Sequence, residues 1–361
     1  MVKKPKLLWS GDIVAMTGFA RVTENVLKYL KDDFEIVVLG HNWWGDPHPL
    51  QKEYKMYPSS NRFQTAPFGE DRIREIVTAE APDIVFTIND MWIANEQYRR
   101  IKDIHKEKKF KFVGYSPMDS YNWTGCLKET ANDWDGIISY TEFGAREFIK
   151  GGVNKPVAVV PHGVTPGQFY PIDKKEARKK LGIKEDLFIV FNGNRNQFRK
   201  RQDITIAAFA KFAKDKPDAQ LYLHMGKKDQ GWDLMEVFDR EMKKNGLDPN
   251  NRIILTTDSD GPPNVEVDVL NTIYNTADVG INTCKGEGWG LVNFDLYENR
   301  EKLDATAELC YQRVNDARYE WKNIASQFSG IFQDVLNGVD HSIDKKPKPI
   351  KKKRIKRKLG K

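Results

Sequence analysis

Residues 284–295 read Cys284-Lys285-Gly286-Glu287-Gly288-Trp289-Gly290-Leu291-Val292-Asn293-Phe294-Asp295. They follow Ala277-Asp278-Val279-Gly280-Ile281-Asn282, a short run that reads as a strand. Glycines let a backbone approach a ligand closely and turn in ways closed to other residues. A helix starting just beyond such a turn aims free N–H groups and a positive dipole at an anion, a common way of holding phosphate. Strand, glycine turn and acid also occur as ordinary punctuation, so the surrounding chain has to discriminate.

Outward from that stretch, apolar runs alternate with helical spacing in two series. The first predicts strands at 6–9, 34–39, 83–88, 111–115, 136–139 and 157–160. Helices are predicted over 19–30, near 71–79, over 93–107 and around 142–150. Residues 164–186 are polar, with Pro166, Pro171 and a basic helical stretch, and read as a connection. The second series predicts strands at 187–192, 220–224, 252–256 and 278–282, with helices over 202–214, 232–245 and 266–276. Fully apolar strands alternating with helices imply parallel sheets covered on both faces. The expected class is α/β: two doubly wound halves with a ligand cleft at the carboxyl ends of their strands.

A chain of 361 residues is long enough for two such cores. Its 40% hydrophobic and 30% charged content is that of a soluble globular protein. No apolar run reaches the 18 residues of a membrane span. The basic start leads into only Leu7-Leu8-Trp9, too short for a secretory leader. Cys126, Cys284 and Cys310 form no paired motif, which suits reduced thiols in a cytoplasmic protein and offers no zinc site. The net charge of +7 is uneven, because residues 345–361 hold 11 Lys or Arg and no acid. The other 344 residues set 47 basic against 51 acidic side chains, a net −4. Such a tail reads as a solvated, disordered terminus, or as an arm for nucleic acid or an anionic membrane surface.

Three further stretches stand in order. They are Thr17-Gly18-Phe19-Ala20-Arg21-Val22; Val160-Pro161-His162-Gly163-Val164 followed by Phe169-Tyr170-Pro171; and Phe191-Asn192-Gly193-Asn194-Arg195 with Lys200 five residues on. Together with Glu287-Gly288-Trp289-Gly290-Leu291, and Asp295 eight residues after Glu287, they resemble retaining nucleotide-sugar glycosyltransferases of the two-Rossmann (GT-B, group 1) superfamily. The resemblance covers about residues 7 to 295. It implies two Rossmann-like domains facing across a cleft, with the donor nucleotide in the second.

It also implies roles. Sugar transfer from a nucleotide donor expels a diphosphate, whose growing charge is met by fixed cations and helix N-termini in a shielded site. By resemblance Arg195 and Lys200 do this without a metal, and no cofactor besides the donor is expected. Glu287 would accept hydrogen bonds from the donor sugar and Asp295 would hold the ribose. Gly18, Gly193, Gly288, Trp289, Gly290 and Leu291 would complete the donor site. Retention in the family is explained by front-face attack, with the leaving phosphate taking the acceptor's proton. Read without the resemblance, Arg199, Lys200 and Arg201 are an exposed basic loop.

Tyr115-Ser116-Pro117-Met118-Asp119 stands where the family often has a sugar-contacting histidine, and holds none. Asp90, Asp119 and Trp123 are the acceptor-side candidates, although either acid would also serve as a helix cap. His162 and His224 read as structural. Trp43, Trp44, Trp92 and Trp123 fall in predicted loops, placed to stack on a sugar or base or to pack beneath the loops.

After Asp295 the chain runs straight into Leu296-Tyr297-Glu298-Asn299, where the family continues with at least one more βα unit. A βαβ unit takes about 30 residues, so the second domain reads as shortened. The expected divisions are 1–164 for the acceptor domain, 165–186 for the connection, and 187–295 for the donor domain. Closing helices are expected over 296–340 and the basic tail over 341–361. The expectation is a retaining glycosyltransferase acting on a glycan or on a hydroxymethylated DNA base, as bacteriophage DNA glycosyltransferases do. A non-catalytic sugar-nucleotide or nucleic-acid binding module is the alternative.

Overall fold

The computed structural model describes residues 3–15, 17–60, 66–121, 128–286 and 316–339. In the first half, strands β1 (Lys6–Asp12), β2 (Glu35–His41), β3 (Lys55–Pro58), β4 (Ile84–Ile88), β5 (Lys111–Ser116), β6 (Gly136–Ser139) and β7 (Val157–Val159) form one sheet. Its order is β3-β2-β1-β4-β5-β6-β7, and every pairing is parallel. Strand β1 runs three residues beyond its apolar run. Its polar end is satisfied inside the protein, where Ser10 Oγ meets His41 Nε2 at 2.8 Å and Asn42 Nδ2 donates to Asp12 Oδ1 at 2.8 Å. Edge strand β3 has no apolar alternation to reveal it. Tyr57 on it donates to Glu80 Oε1.

Helices cover both faces: α1 (Gly18–Leu30), α2 (Ile73–Glu80), α3 (Met91–Lys108), α4 (Lys128–Ala131) and α5 (Glu142–Lys150). Thr17 caps α1 by accepting from Ala20 N at 3.1 Å, and Val22, Val26, Leu27 and Leu30 form its buried face. A second stripe beside α1 comes from far along the chain. Trp321, Ile324, Phe328 and Phe332 of the last described helix lie in the same core as Trp9, Phe86 and Tyr115. Phe86 meets Phe328 and Phe332 at ring distances of 5.8 and 5.1 Å. Each such burial contributes about 1.5–3 kcal/mol. This helix docks where the first domain ends: a Cβ on Gly163 would run into the Trp321 ring, and Val164 N donates to Tyr319 O at 2.6 Å.

The second half begins with α6 (Lys174–Lys180), then β8 (Phe188–Asn192), α7 (Gln202–Phe212), β9 (Ala219–Leu223) and α8 (Leu234–Lys244). It continues with β10 (Ile253–Leu255), α9 (Val267–Thr276) and β11 (Val279–Gly280); the returning helix is α10 (Trp321–Leu336). The sheet is parallel in the order β10-β9-β8-β11. Residues 170–180 are bolted to it. Tyr170 N and Ile172 N donate to Asn271 and Asn275 of α9, and Arg178 reaches Asp278 at 2.6 Å with both side chains buried. The region of the expected shortening, 287–315, lies outside the described residues.

Candidate active site

The second-domain side is built at the carboxyl end of β8. Asn192 is buried and its Nδ2 donates to Gln202 Oε1 and Thr205 Oγ1, fastening the strand end to the first turn of α7. Its Oδ1 accepts from Asn194 N at 2.9 Å, which opens the loop. Arg195 projects from that loop, 45% exposed, and its Nε and Nη2 donate to the Asp229 carboxylate at 2.7 and 3.1 Å. Asp229 follows β9 in a left-handed conformation, φ 39°. Its loop is fixed by Asn196, fully buried, whose Nδ2 lies 2.8–3.2 Å from the carbonyl oxygens of Gly226, Lys227, Lys228 and Trp232.

Lys200 is buried, and its carbonyl accepts from Thr283 Oγ1 at 3.1 Å. Lys285 N donates to Arg199 O at 3.1 Å, so the start of the glycine turn lies along the 199–201 loop. A Cβ on Gly193 would crowd the Phe191 ring.

On the first-domain side, Thr17 Oγ1 donates to Asp12 Oδ2 at 2.6 Å and holds the loop after β1. Gly18 is exposed, and a Cβ there would meet nothing within 4 Å, so packing does not explain the glycine. Beside it lies an open hollow of about 510 Å3 lined by Ile13, Val14, Thr17, Arg21, Glu24 and His48 among others. Asp90 stands at the start of α3 but its carboxylate makes no capping bond. Burial raises this carboxyl above its usual range, Asp119 pushes it further, and Arg199 of the second domain opposes the rise. The two halves meet closely here, because a Cβ on Gly286 would collide with the Asp119 carbonyl oxygen.

No known family profile matches the chain. Over 162 residues it is 28% identical to the D-inositol 3-phosphate glycosyltransferase of Geodermatophilus obscurus, covering 44% of this chain and 35% of that protein. The chain thus spans about a third of the length of the curated relative it matches. A glycosyltransferase from Rickettsia africae superposes with a TM-score of 0.60 at 15% identity, over 93% of this chain and 99% of that one. The sucrose-phosphate synthase of Thermosynechococcus elongatus does so with 0.61 at 16%, over 93% and 100%. The fold is the GT-B fold.

Of the expected site residues, Gly193, Arg195 and Lys200 lie in the stretch that follows β8, along which the chain up to Gly286 runs, while Asp90 and Asp119 follow β4 and β5. Glu287, Gly288, Trp289, Gly290, Leu291, Asp295, Trp123 and the basic tail lie outside the described residues. The tryptophans divide. Trp43 is 3% exposed and donates to Asp46 O, so it packs beneath its loop, whereas Trp44 is 48% exposed. Trp92 sits on the first turn of α3 and not in a loop, because the helix begins two residues earlier than its spacing suggests. His224 meets Thr256 Oγ1 at 2.9 Å, and burial lowers its pKa.

Sequence reasoning missed a buried set on the first domain. His41 touches Ser10 Oγ, Gln97 Nε2 and Asn89 Nδ2 at 2.8–3.0 Å, and Asn89 Oδ1 in turn accepts from Asp90 N at 2.8 Å. These are single polar residues at the ends of three strands and on one helix, with no spacing to link them. Asp229 and Asn196 escaped for the same reason. Among the described residues no helix is long and apolar enough to cross a membrane, and no three His, Cys, Asp or Glu converge as metal ligands.

Proposed function

We propose that the protein is a retaining glycosyltransferase, moving a sugar from a nucleotide sugar to a hydroxyl of an acceptor bound on the first domain. The observation that carries this reading is the meeting of Gly286 with the Asp119 backbone across the cleft, with Arg195 and Lys200 at the adjoining strand end. A donor in that corner has its diphosphate beside two cations and its sugar towards Asp90 and Asp119. In our reading Arg195 and Lys200 take the charge that builds on the leaving diphosphate, Glu287 orients the sugar, and Asp295 holds the ribose. Gly18 lets the donor approach the first domain's backbone. The leaving phosphate accepts the acceptor's proton as the new bond forms on the face it vacates, so no general base and no metal are assigned.

The test is turnover of a panel of nucleotide sugars, followed by release of the nucleoside diphosphate and by the anomeric configuration of the product. Release coupled to an α-linked product from an α-linked donor supports the reading; tight donor binding without turnover would leave a binding module. The acceptor is a glycan or a hydroxymethylated DNA base, the latter favoured by the 11 cations of residues 345–361. If the tail holds DNA, log affinity falls by about 0.9 per log salt for each phosphate neutralised. Removing the tail should flatten that slope; an unchanged slope assigns the acceptor to glycans.

A further inference from the structure

The chain passes from the first domain to the second between two anchored points. Before the passage, Val164 N donates to Tyr319 O at 2.6 Å, just ahead of α10, whose apolar side chains complete the first domain's core. Beyond it, Tyr170 N donates to Asn271 Oδ1 at 3.2 Å and Tyr170 O accepts from Asn275 Nδ2 at 3.0 Å, which ties the chain to α9. Between the anchors stands a turn, closed by Gln168 N on Thr165 O at 3.2 Å, with Gly167 left-handed at φ 74°. Arg21, on the first turn of α1, reaches over this turn. It donates from Nη2 to Gln168 Oε1 at 2.9 Å and sets its guanidinium 5.9 Å from the Phe169 ring centroid. Phe169 in turn lies 5.5 Å from the Tyr274 ring of α9. Tyr274 packs 5.5 Å from Phe191, and a Cβ on Gly193 would come within 3.9 Å of it. Burial raises the Tyr274 phenol, and the Arg21 charge opposes that rise. A continuous run of contacts therefore joins the turn of α1 that carries Gly18 to Gly193, where the donor loop opens.

We propose that Arg21 and Phe169 are positioning residues, which clasp the two domains across the 165–168 turn and set the angle at which α1 meets the donor loop. The inference rests on the transferase reading above and adds the residues that keep its two halves in register. Neither residue is assigned a contact with donor or acceptor. Arg21 also borders the hollow beside Gly18, so the experiment has to separate a clasp from a direct ligand contact. An exposed guanidinium over a ring is a weak contact, and one hydrogen bond adds to it. The clasp thus biases the angle without locking it, and its loss lowers the rate by a modest factor.

The experiment uses the full chain. Hydrogen exchange at the bonded amides of Val164, Gln168, Tyr170 and Ile172 reads the clasp itself. Calorimetry with UDP and steady-state turnover of the nucleotide sugar selected by the panel above read its effect. Arg21→Ala should speed exchange about five- to tenfold and Phe169→Leu about two- to fivefold. The double variant should exceed Arg21→Ala by less than about twofold, because both changes break one clasp. Arg21→Lys keeps a cation over the ring but not the planar fork, and should stay within about threefold of the unaltered chain. The value of kcat should fall by the same factors in the same order, while KM for the donor and UDP affinity stay within about twofold. Unchanged exchange in Arg21→Ala, multiplied effects in the double variant, or a UDP affinity that falls as far as kcat each overturns the proposal. The last outcome would make Arg21 a ligand contact. If the unaltered chain turns over no donor, the transferase reading fails, and exchange with the double-variant comparison alone decides the clasp.

Discussion

Arg195 is held from behind. Asp229 accepts from its Nε and Nη2, so the guanidinium's donors are only partly used by this pairing. The Asp229 side chain is 6% exposed and that of Arg195 45%, so Asp229 acts as a buried backstop for a side chain that reaches solvent. Arg195→Ala should weaken UDP binding by about 1.5–3 kcal/mol, the range for a charged hydrogen bond. Asp229→Asn keeps the shape and removes the charge, and should weaken it by a smaller amount; calorimetry of both variants checks the order. Histidine sets a second expectation at this scale. Burial lowers His41 to about 3 and His162 to about 4, against 6.5 for a free ring. Between those values the unfolded chain binds protons that the folded one refuses, so this part of the stability is complete above pH 6.5 and drains away as the pH falls towards 4. Each ring gives a slope of about 1.4 kcal/mol per pH unit. Denaturant titrations at pH 7, 6 and 5 should show it, and His41→Gln should reduce it.

At the scale of elements, α6 is the least expected attachment. Its sequence is a basic run, Lys174-Lys175-Glu176-Ala177-Arg178-Lys179-Lys180, with little apolar surface to bury. It is held because Arg178 donates to Thr276 O, Glu185 O and the buried Asp278 carboxylate, which also accepts from Ile189 N. Removing one partner of a buried pair strands the other, at about 3–5 kcal/mol. Arg178→Ala should fall at the lower end, because Lys174 still reaches Asp278 at 2.9 Å. Chemical denaturation would measure it, and the first domain's unfolding transition should not move.

Elements of this kind mark how far the sequence could be read. Strands such as β4 and β5, apolar but for Thr87 and the ends Lys111 and Ser116, were visible because a strand buried on both faces needs few polar residues. Strand β3 and the polar end of β1 were not visible, since their partners, Glu80 and His41, are distant in the chain. The site divided in the same way. Residues grouped along one loop, such as Gly193, Arg195 and Lys200, announced themselves, although Asn196 between them did not. Groups assembled from several strand ends, as around His41 and Asp229, left no local pattern.

Taken whole, the molecule is two sheets sharing one cleft, and Gly286 sets how near they come. Its backbone carries no left-handed strain, so alanine is allowed there by conformation and excluded only by the Asp119 carbonyl opposite. Gly286→Ala should hold the halves slightly apart, lowering turnover at least tenfold in our reading while UDP affinity stays within about twofold, since a misplaced reacting group costs rate before affinity. Equal losses in both would mean that the glycine shapes the donor loop alone.

Helix α10 bears on how the protein is made. A ribosome delivers the sheet of β1 to β7 first, yet one wall of its core, Trp321 to Phe332, emerges some 160 residues after β7. During that interval Trp9, Phe86 and Tyr115 have no cover on that side, while the sheet of β8 to β11 is synthesised and has its own core to close. The first domain's core is thus expected to close only after the second half has been synthesised, with apolar surface exposed in the interval. Residues 1–164 produced alone should collect in inclusion bodies, and co-expression with residues 316–339 should bring part of them into the soluble fraction.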